Sequence, residues 1–396
     1  MIELRELRRA TRADQCVECG KCTSMCPLGT RADFSARRIA TEDLNAEIQG
    51  KGVGVGRCLT CASCQERCPQ DVQFVDLVRG LRAFVPDEHR RPCPHGAFLR
   101  QASAIGNGDD PSFRSLAWID EDLKIAEEGP VALFVGCAPL LDVVFSGSFG
   151  VDVTASANSA IRLLNHAGIE PVILADESCC GHDQLWSGDA DDYERLGRRN
   201  IEAFRKRGVE HVVTACAECA RTWSLDYPKL DPSFAPRVQH MSQWIAEHVD
   251  DLEYAGNDIP VRVPSHDPCR LGRQMGEFDA PRALLDSIPD IDLTEMGRHG
   301  RNALCCGTSG FQHCDAESRR LQSERLVSAK RTGAAAMVTA CPKCLVHFSC
   351  AQTEDARRID HPPEIEMIDL TVLAASRLRG FGKAEEKDPA EENVHG

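Results

Sequence analysis

Short apolar, β-branched runs alternate along this chain with longer stretches of helical period. VALFVGC (131–137), PVILADESCCG (171–181) and HVVTACAEC (211–219) have the length of strands, and each ends in or runs into cysteine. Between them, Thr154 to Ala167 and Ala190 to Arg207 space their apolar residues as helices do. This alternation predicts parallel strands joined by crossover helices. The same order then recurs in VRVPSHDPC (261–269), NALCCG (302–307) and AAAMVTACPKC (334–344).

The flanking segments read differently. RADFSARRIATEDLNAEIQ (31–49) and Val72 to Phe84 predict helices, and IEMIDLTVLAASRL (365–378) predicts a last one. GKGVGVG (50–56) is a flexible turn and not a dinucleotide loop, because no strand precedes it. PDEHRRPCPHG and GNGDDP give residues 86–130 the composition of a connector. KAEEKDPAEENVHG (383–396) is acidic and polar, and disorder is expected there. The expected division is a first domain at 1–85, the connector, two units at 131–255 and 256–380, and a tail at 381–396.

Charge and leader signals narrow the class. The formal net charge of −15 argues against a nucleic-acid partner. MIELRELRRATRADQC has no apolar core, so no secretory leader is expected. The run Val131 to Phe145 is broken by Gly136, Pro139 and Asp142, well short of a membrane span. A cytoplasmic chain follows, with any membrane contact made through a partner at the inner face. In such a compartment the 21 cysteines mean metal or redox chemistry, not a disulfide scaffold.

Cys16, Cys19, Cys22 and Cys26-Pro27 read C-x2-C-x2-C-x3-C-P, and Cys58, Cys61, Cys64 and Cys68-Pro69 repeat that spacing. This is the bacterial ferredoxin signature for 4Fe–4S cubanes, whose fourth cysteine usually ligates the other cluster. Cys16, Cys19, Cys22 and Cys68 are therefore assigned to one cubane, and Cys58, Cys61, Cys64 and Cys26 to the second. Structural zinc favours paired C-x2-C units with longer gaps, which is not this pattern. The fold class expected is α/β: a mostly helical, two-cluster ferredoxin-like domain, then a pseudo-twofold duplicated cysteine-rich unit.

The duplication is visible in the later cysteines. Cys137, Cys179, Cys180, Cys216 and Cys219 recur as Cys269, Cys305, Cys306, Cys341 and Cys344, with offsets of 132, 126, 126, 125 and 125. Each pair of adjacent cysteines precedes a glycine, Gly181 or Gly307, which admits a backbone conformation other residues resist. In parallel sheets the strand ends gather ligands, so five thiols per unit should converge. Five is too many for one zinc or one cubane, and an adjacent pair can bridge different irons. The chemistry expected is an unusual polynuclear iron–sulfur site, twice.

C…CCG…C-x2-C twice, behind two ferredoxin motifs, resembles the catalytic subunit of the heterodisulfide reductase family across roughly residues 12–350. The resemblance implies that each five-cysteine motif holds a noncubane 4Fe–4S cluster, one on Cys137, Cys179, Cys180, Cys216 and Cys219, the other on Cys269, Cys305, Cys306, Cys341 and Cys344. It implies that a disulfide binds between them, with one sulfur captured at each, and that Cys180 and Cys306 are catalytic. Two departures are loop lengths: 41 residues separate Cys137 from Cys179, and 35 separate Cys269 from Cys305. Relatives with this layout also serve glycolate, lactate and glycerol-3-phosphate oxidation, often with degraded motifs; here all ten positions are present. A thiol–disulfide oxidoreductase subunit is favoured, and a non-catalytic relay from a hydroxyacid dehydrogenase to a quinone-linked complex is the alternative. Without a flavin or nicotinamide fingerprint, the reductant must come from a flavin subunit or a membrane cytochrome.

Splitting a disulfide needs two electrons and two protons, and His182 and His313 are the candidate proton donors. Glu218 and Lys343, inside the two C-x2-C loops, either tune cluster charge or are solvated loop charges; solvation is the expectation. Cys93, Cys314 and Cys350 are left over and read as small buried hydrophobes.

Overall fold

The computed structural model describes residues 2–29, 34–42, 46, 49, 54–85, 115–256, 261–308, 314–353 and 362–380. In the first repeat, β1 (Val131–Leu133), β2 (His211–Thr214) and β3 (Arg237–His240) form a parallel sheet in the order β1-β2-β3. Val131 stands beside His211, and Val213 beside Gln239. On the free edge of β1, Val172 makes an isolated parallel bridge to Ala132. The run 171–181 is thus one bridging residue, Val172, which also pairs with Ala126, and a loop, not a strand. Beyond Val172 the loop is held by Asn200, which accepts from Ser178 N at 2.7 Å and donates to Ser178 O and Cys179 O at 3.2 Å each.

In the second repeat, β4 (Val261–Val263) pairs with β6 (Ile291–Leu293), and β5 (Ser265–His266), β7 (Ala336–Thr339) and β8 (Glu366–Asp369) form a parallel sheet in the order β5-β7-β8. Pro264 separates β4 from β5 because it has no N–H to give a ladder. Its carbonyl still accepts from Val338 N at 2.9 Å. Residues 261–266 therefore act as one broken strand between β6 and β7, matching β1 between Val172 and β2. NALCCG, expected as a strand, is a 3₁₀ turn (Gly300–Asn302) leading into a loop.

β3 and β8 were not expected. Arg-Val-Gln-His carries too little apolar signal, and Glu-Met-Ile-Asp continues straight into a helix, so residues 365–378 read as one helix. In the structure only Leu370–Ser376 is helical, started by Asp369, whose Oδ1 accepts from Thr371 N at 2.8 Å. This helix packs on Thr154–His166 of the first repeat, so the two repeats share one core.

Where period was strong, sequence and structure agree closely: helices span Thr154–His166 and Ala190–Lys206. Asp189 caps the latter by accepting from Asp192 N, and Arg205 and Lys206 close its last turn. Its inner face brings Phe204 against Phe134 and Trp223, with ring centroids 5.9 and 5.5 Å apart.

In the first 85 residues, helices Ile2–Ala10 and Phe74–Phe84 pack together beside the cysteine turns. Of the helix expected over 31–49, Ala36–Thr41 is helical, and several neighbours lie outside the described residues. Buried Arg82 fastens this part to the repeats, donating to Val55 O, Cys58 O and Trp186 O. Residues 86–114 and 381–396 lie outside the described residues. Residues 115–130 lie along Thr154–His166, where Asn158 Nδ2 donates to Trp118 O at 2.9 Å. Among the described residues, no helix is long and apolar enough to cross a membrane.

Candidate functional site

The two ferredoxin-type motifs fold alike. Glu18 and Gly20 in the first, and Thr60 and Ala62 in the second, all take positive φ, 42 residues apart in each case. Such left-handed residues cost energy when they are not glycine and persist only where the surroundings hold them. They curl the chain around the sulfurs: Thr60 N donates to Cys58 Sγ at 3.3 Å, and Val72 N to Cys68 Sγ at 3.4 Å. Cys26, Cys58, Cys61 and Cys64 line one small cavity together with Leu59 and Phe34. Burial, and then the neighbouring thiols of Cys61 and Cys58, push the Cys26 thiol far above its ordinary range. In the first motif Cys22 lies near Cys16 and Cys19, and Cys19 is exposed.

The ten cysteines of the repeats form a continuous chain of thiols. In the first repeat Cys219 Sγ donates to Cys180 Sγ at 3.5 Å, Cys179 lies between Cys137 and Cys180, and Cys216 lies beside Cys219. In the second, the order is Cys269, Cys305, Cys306, Cys344, Cys341. The two series join at Cys216 and Cys341, and Cys305 also meets Cys61 of the second ferredoxin-type motif. The closeness of these thiols splits their acidities. Cys61, Cys179, Cys216, Cys269 and Cys306 are held below the ordinary thiol range, and Cys137, Cys180, Cys219, Cys305, Cys341 and Cys344 above it. A dense set of thiols on buried turns fits a soft metal bound through thiolate.

The glycine after each cysteine pair is required by geometry. Gly181 and Gly307 have φ of +75° and +84°. A side chain at Gly307 would also press within 2.6 Å of Ser318 O, and at Gly181 within 3.0 Å of the Tyr193 ring. Behind the first pair, Tyr227 Oη donates to Cys180 O at 3.1 Å, beside Asn200. The residue 125 positions after Asn200 is Arg325, which is fully buried and donates to His266 Nδ1 at 3.0 Å and Ser265 O at 3.2 Å. Neither support was legible in the sequence, since a lone Asn or Arg inside a helical run carries no spacing signal.

Glu218 and Lys343 are not solvated loop charges. Both are buried and paired: Lys343 Nζ binds Glu218 Oε2 and Asp183 Oδ2 across the junction of the repeats. Burial alone would deprotonate the ammonium, but Asp183 and Glu218 hold its pKa well above the ordinary value. One cation between two acids leaves one of them in excess. Burial pushes Glu218 up to about 8, whereas Lys343 and His182 outweigh burial at Asp183 and keep it charged. Asp183, Glu218 and His182 could otherwise suggest a cation site, but the Lys343 ammonium fills that place.

His182 is also buried, with Nδ1 2.8 Å from Asp183 Oδ1 and Nε2 accepting from Arg270 Nε at 2.8 Å. Burial first, and then Arg270, depress its pKa to about 3. Arg270 donates onward to Thr60 O and Oγ1, inside the second ferredoxin-type motif. His182 is thus a link in a buried chain from Thr60 through Arg270 to Asp183 and Lys343, and both its nitrogens have partners. His313 and Cys93 lie outside the described residues, and Cys314 and Cys350 are half-buried. A cleft of about 550 Å³ opens beside Cys137 and Cys179, lined by Trp118, Leu140 and Glu177 among others.

Comparison with known proteins agrees with this arrangement. A 4Fe–4S dicluster domain family matches residues 12–72, and a cysteine-rich domain family matches 131–223 and 263–349. Over 402 residues the chain is 27% identical to a subunit of the dihydromethanophenazine:CoB–CoM heterodisulfide reductase of Methanosarcina barkeri, covering 92% of this chain and 94% of that one. It is 28% identical to a subunit of the fumarate reductase (CoM/CoB) of Methanothermobacter marburgensis, over 84% of this chain and 67% of that one. The crystal structure of a hypothetical protein from Helicobacter pylori shares the fold, with a TM-score of 0.53 and 11% identity over 86% of this chain and 64% of the other. The chain thus carries a 4Fe–4S dicluster domain followed by two cysteine-rich domains, and it is similar to this heterodisulfide reductase subunit and to other iron–sulfur oxidoreductase subunits.

Proposed function

We propose that this chain is the catalytic iron–sulfur subunit of a thiol–disulfide oxidoreductase. The residues divide as the sequence suggests: a two-cubane domain (1–85), a connector (86–130), two cysteine-rich units (131–255 and 256–380) and a tail (381–396). One cubane is held by Cys16, Cys19, Cys22 and Cys68, the other by Cys58, Cys61, Cys64 and Cys26. Two noncubane clusters are held by the five cysteines of each repeat. Bound there, these groups supply the single electrons. The reaction is RSSR′ + 2 e⁻ + 2 H⁺ → RSH + R′SH, or its reverse.

The observation that carries this reading is the meeting of the two five-thiol series at Cys216 and Cys341. Two metal sites so close can face the two sulfurs of one disulfide, with Cys180 and Cys306 at the reacting centre. The nearness of Cys61 to Cys305 supports a route from the second cubane into the second repeat. The cleft at Cys137 and Cys179 opens onto the first five-cysteine site. His182, neutral and with both nitrogens occupied, serves to position Asp183 and through it Lys343, and does not itself release a proton. The electrons come from a partner, a flavin subunit or a membrane cytochrome, with this chain on the cytoplasmic side. Relatives named as subunits of reductases support the need for a partner.

Burial of Cys180 and Cys306 favours the second reading, a relay between a hydroxyacid dehydrogenase and a quinone-linked complex. Spectroscopy separates the two. Adding a thiol or disulfide to the oxidised, iron-loaded protein should perturb a paramagnetic cluster signal, and Cys180→Ser or Cys306→Ser should remove that response while the cubane signals persist. A signal indifferent to every thiol would favour the relay.

A further inference from the structure

We infer that His240 is a positioning residue that sets the spacing between the two five-cysteine sites. The inference rests on the proposed function and adds a residue to it.

His240 ends β3 and is fully buried. Its Nε2 lies 3.1 Å from Ala215 O and 3.1 Å from Ala340 O. Those alanines immediately precede Cys216 and Cys341, the cysteines at which the two thiol series join. The tautomer follows from the other side of the ring. Ser242 N donates to Nδ1 at 3.1 Å, and a backbone N–H can only donate, so Nδ1 carries no proton. The proton is on Nε2, shared between the two carbonyls as a three-centre hydrogen bond.

The placement gives this bond leverage. Ala215 and Ala340 directly follow β2 and β7, the middle strands of the two three-stranded sheets. One imidazole therefore ties the carboxyl ends of both sheets, one residue from a cysteine on each side. The second repeat does not return the bond. Its matching residue is Asp369, which ends β8 and caps the following helix through Thr371 N, as His240 caps its own through Ser242 N. The two positions share the capping task, and only His240 adds a bridge between the repeats.

Splitting one disulfide across two sites requires their separation to match the S–S bond closely, whereas loading each site with single electrons does not. The bridge should therefore matter for turnover and for magnetic coupling between the sites, and little for metal content. His240→Asn keeps an oxygen for the cap but is too short to hold both carbonyls. His240→Gln keeps a donor on a longer arm.

The test uses the anaerobically prepared full chain, measuring iron per chain, spin coupling on reduction, the thiol-induced signal, and kcat and KM with a small-molecule disulfide. His240→Asn should bind as much iron as the natural chain, show weakened coupling, and lose about a hundredfold in kcat with little change in KM, the scale expected for a displacement of about 1 Å. His240→Gln should recover part of both, and Gln243→Ala, which loosens the cap at His240 N and leaves the ring's contacts in place, should behave as the natural chain. Full iron with unchanged coupling and turnover in His240→Asn overturns the inference. So does failure of both His240 variants to fold, which would make the residue a structural cap only. If the natural chain holds no more than about eight irons, those of two cubanes, the proposed function fails first, whatever His240 does.

Discussion

Glu218 and Lys343 occupy the same place in the two repeats, 343 − 218 = 125 residues apart, and form an ion pair with each other. Equivalent positions in a duplicated fold meet near the pseudo-twofold axis, where identical charges would repel in a buried space. Here one C-x2-C loop carries an acid and the other an ammonium, and Asp183, from the first repeat only, is the carboxylate that stays charged beside them. The halves thus share a frame and differ at its centre.

Removing the cation should be costly. Lys343→Met leaves Asp183 charged and buried without its main partner, a change worth about 3–5 kcal/mol. Adding Asp183→Asn to that variant should recover much of the loss, because the orphaned charge goes with it. Thermal midpoints of the single and double variants check this as a double-mutant cycle; purely additive losses would mean that the pair does not couple.

Arg270 should not tolerate lysine. Its Cζ lies 4.2 Å from the Trp186 ring centroid, with Nε on His182 and both terminal nitrogens on Thr60. An ammonium has no planar fork to reach three such partners or to lie on an indole. Arg270→Lys should loosen the second ferredoxin-type motif against the repeats, raising amide hydrogen exchange over residues 58–64 by about tenfold, the equivalent of ~1.4 kcal/mol in local opening. Unchanged exchange there would locate the anchoring elsewhere, with Arg82.

Cys26 belongs by sequence to the first ferredoxin-type motif and by position to the cavity of Cys58, Cys61 and Cys64. Cys26→Ser and Cys64→Ser should therefore weaken the same cubane signal, and Cys22→Ser the other, with iron falling by up to about four per chain in each case. Loss of the first-motif signal in Cys26→Ser would contradict the crossed arrangement.

Features whose spacing is imposed by chemistry were legible in the sequence, and features decided by packing were much less so. Cysteines recurring at a nearly constant offset announced the duplication, and the glycines at 181 and 307 follow from the backbone those pairs need. The run expected as a strand before Cys179 shortens to a bridge at Val172, and the loop after it is held by Asn200, a residue with no local signal. Glu218 and Lys343 were expected in water for a similar reason: one charge in a loop is ordinary alone, and only the fold brings its partner from 125 residues away. His240 was invisible because its value lies in two carbonyls that no sequence pattern pairs.

Asp369 makes a prediction about pH. Burial raises its pKa from 3.8 to about 7, against the opposing pull of the hydrogen bond from Thr371 N. The folded state thus holds this proton more tightly than the unfolded chain, so stability is greatest below the unfolded pKa and falls as pH rises toward 7. Each pH unit in that window costs up to about 1.4 kcal/mol, and above 7 the contribution is flat. Asp369→Asn keeps an oxygen to cap Leu370–Ser376 and cannot ionise, so its stability should fall less steeply with pH, with the remaining slope due to groups such as Glu218, and should exceed that of the natural chain at pH 8. Thermal midpoints from pH 5.5 to 8.5 provide the check. If the variant keeps the full slope, another buried group is the source; if it loses stability at every pH, the charged carboxylate is needed for the cap, and the balance between burial and capping at Asp369 runs the other way.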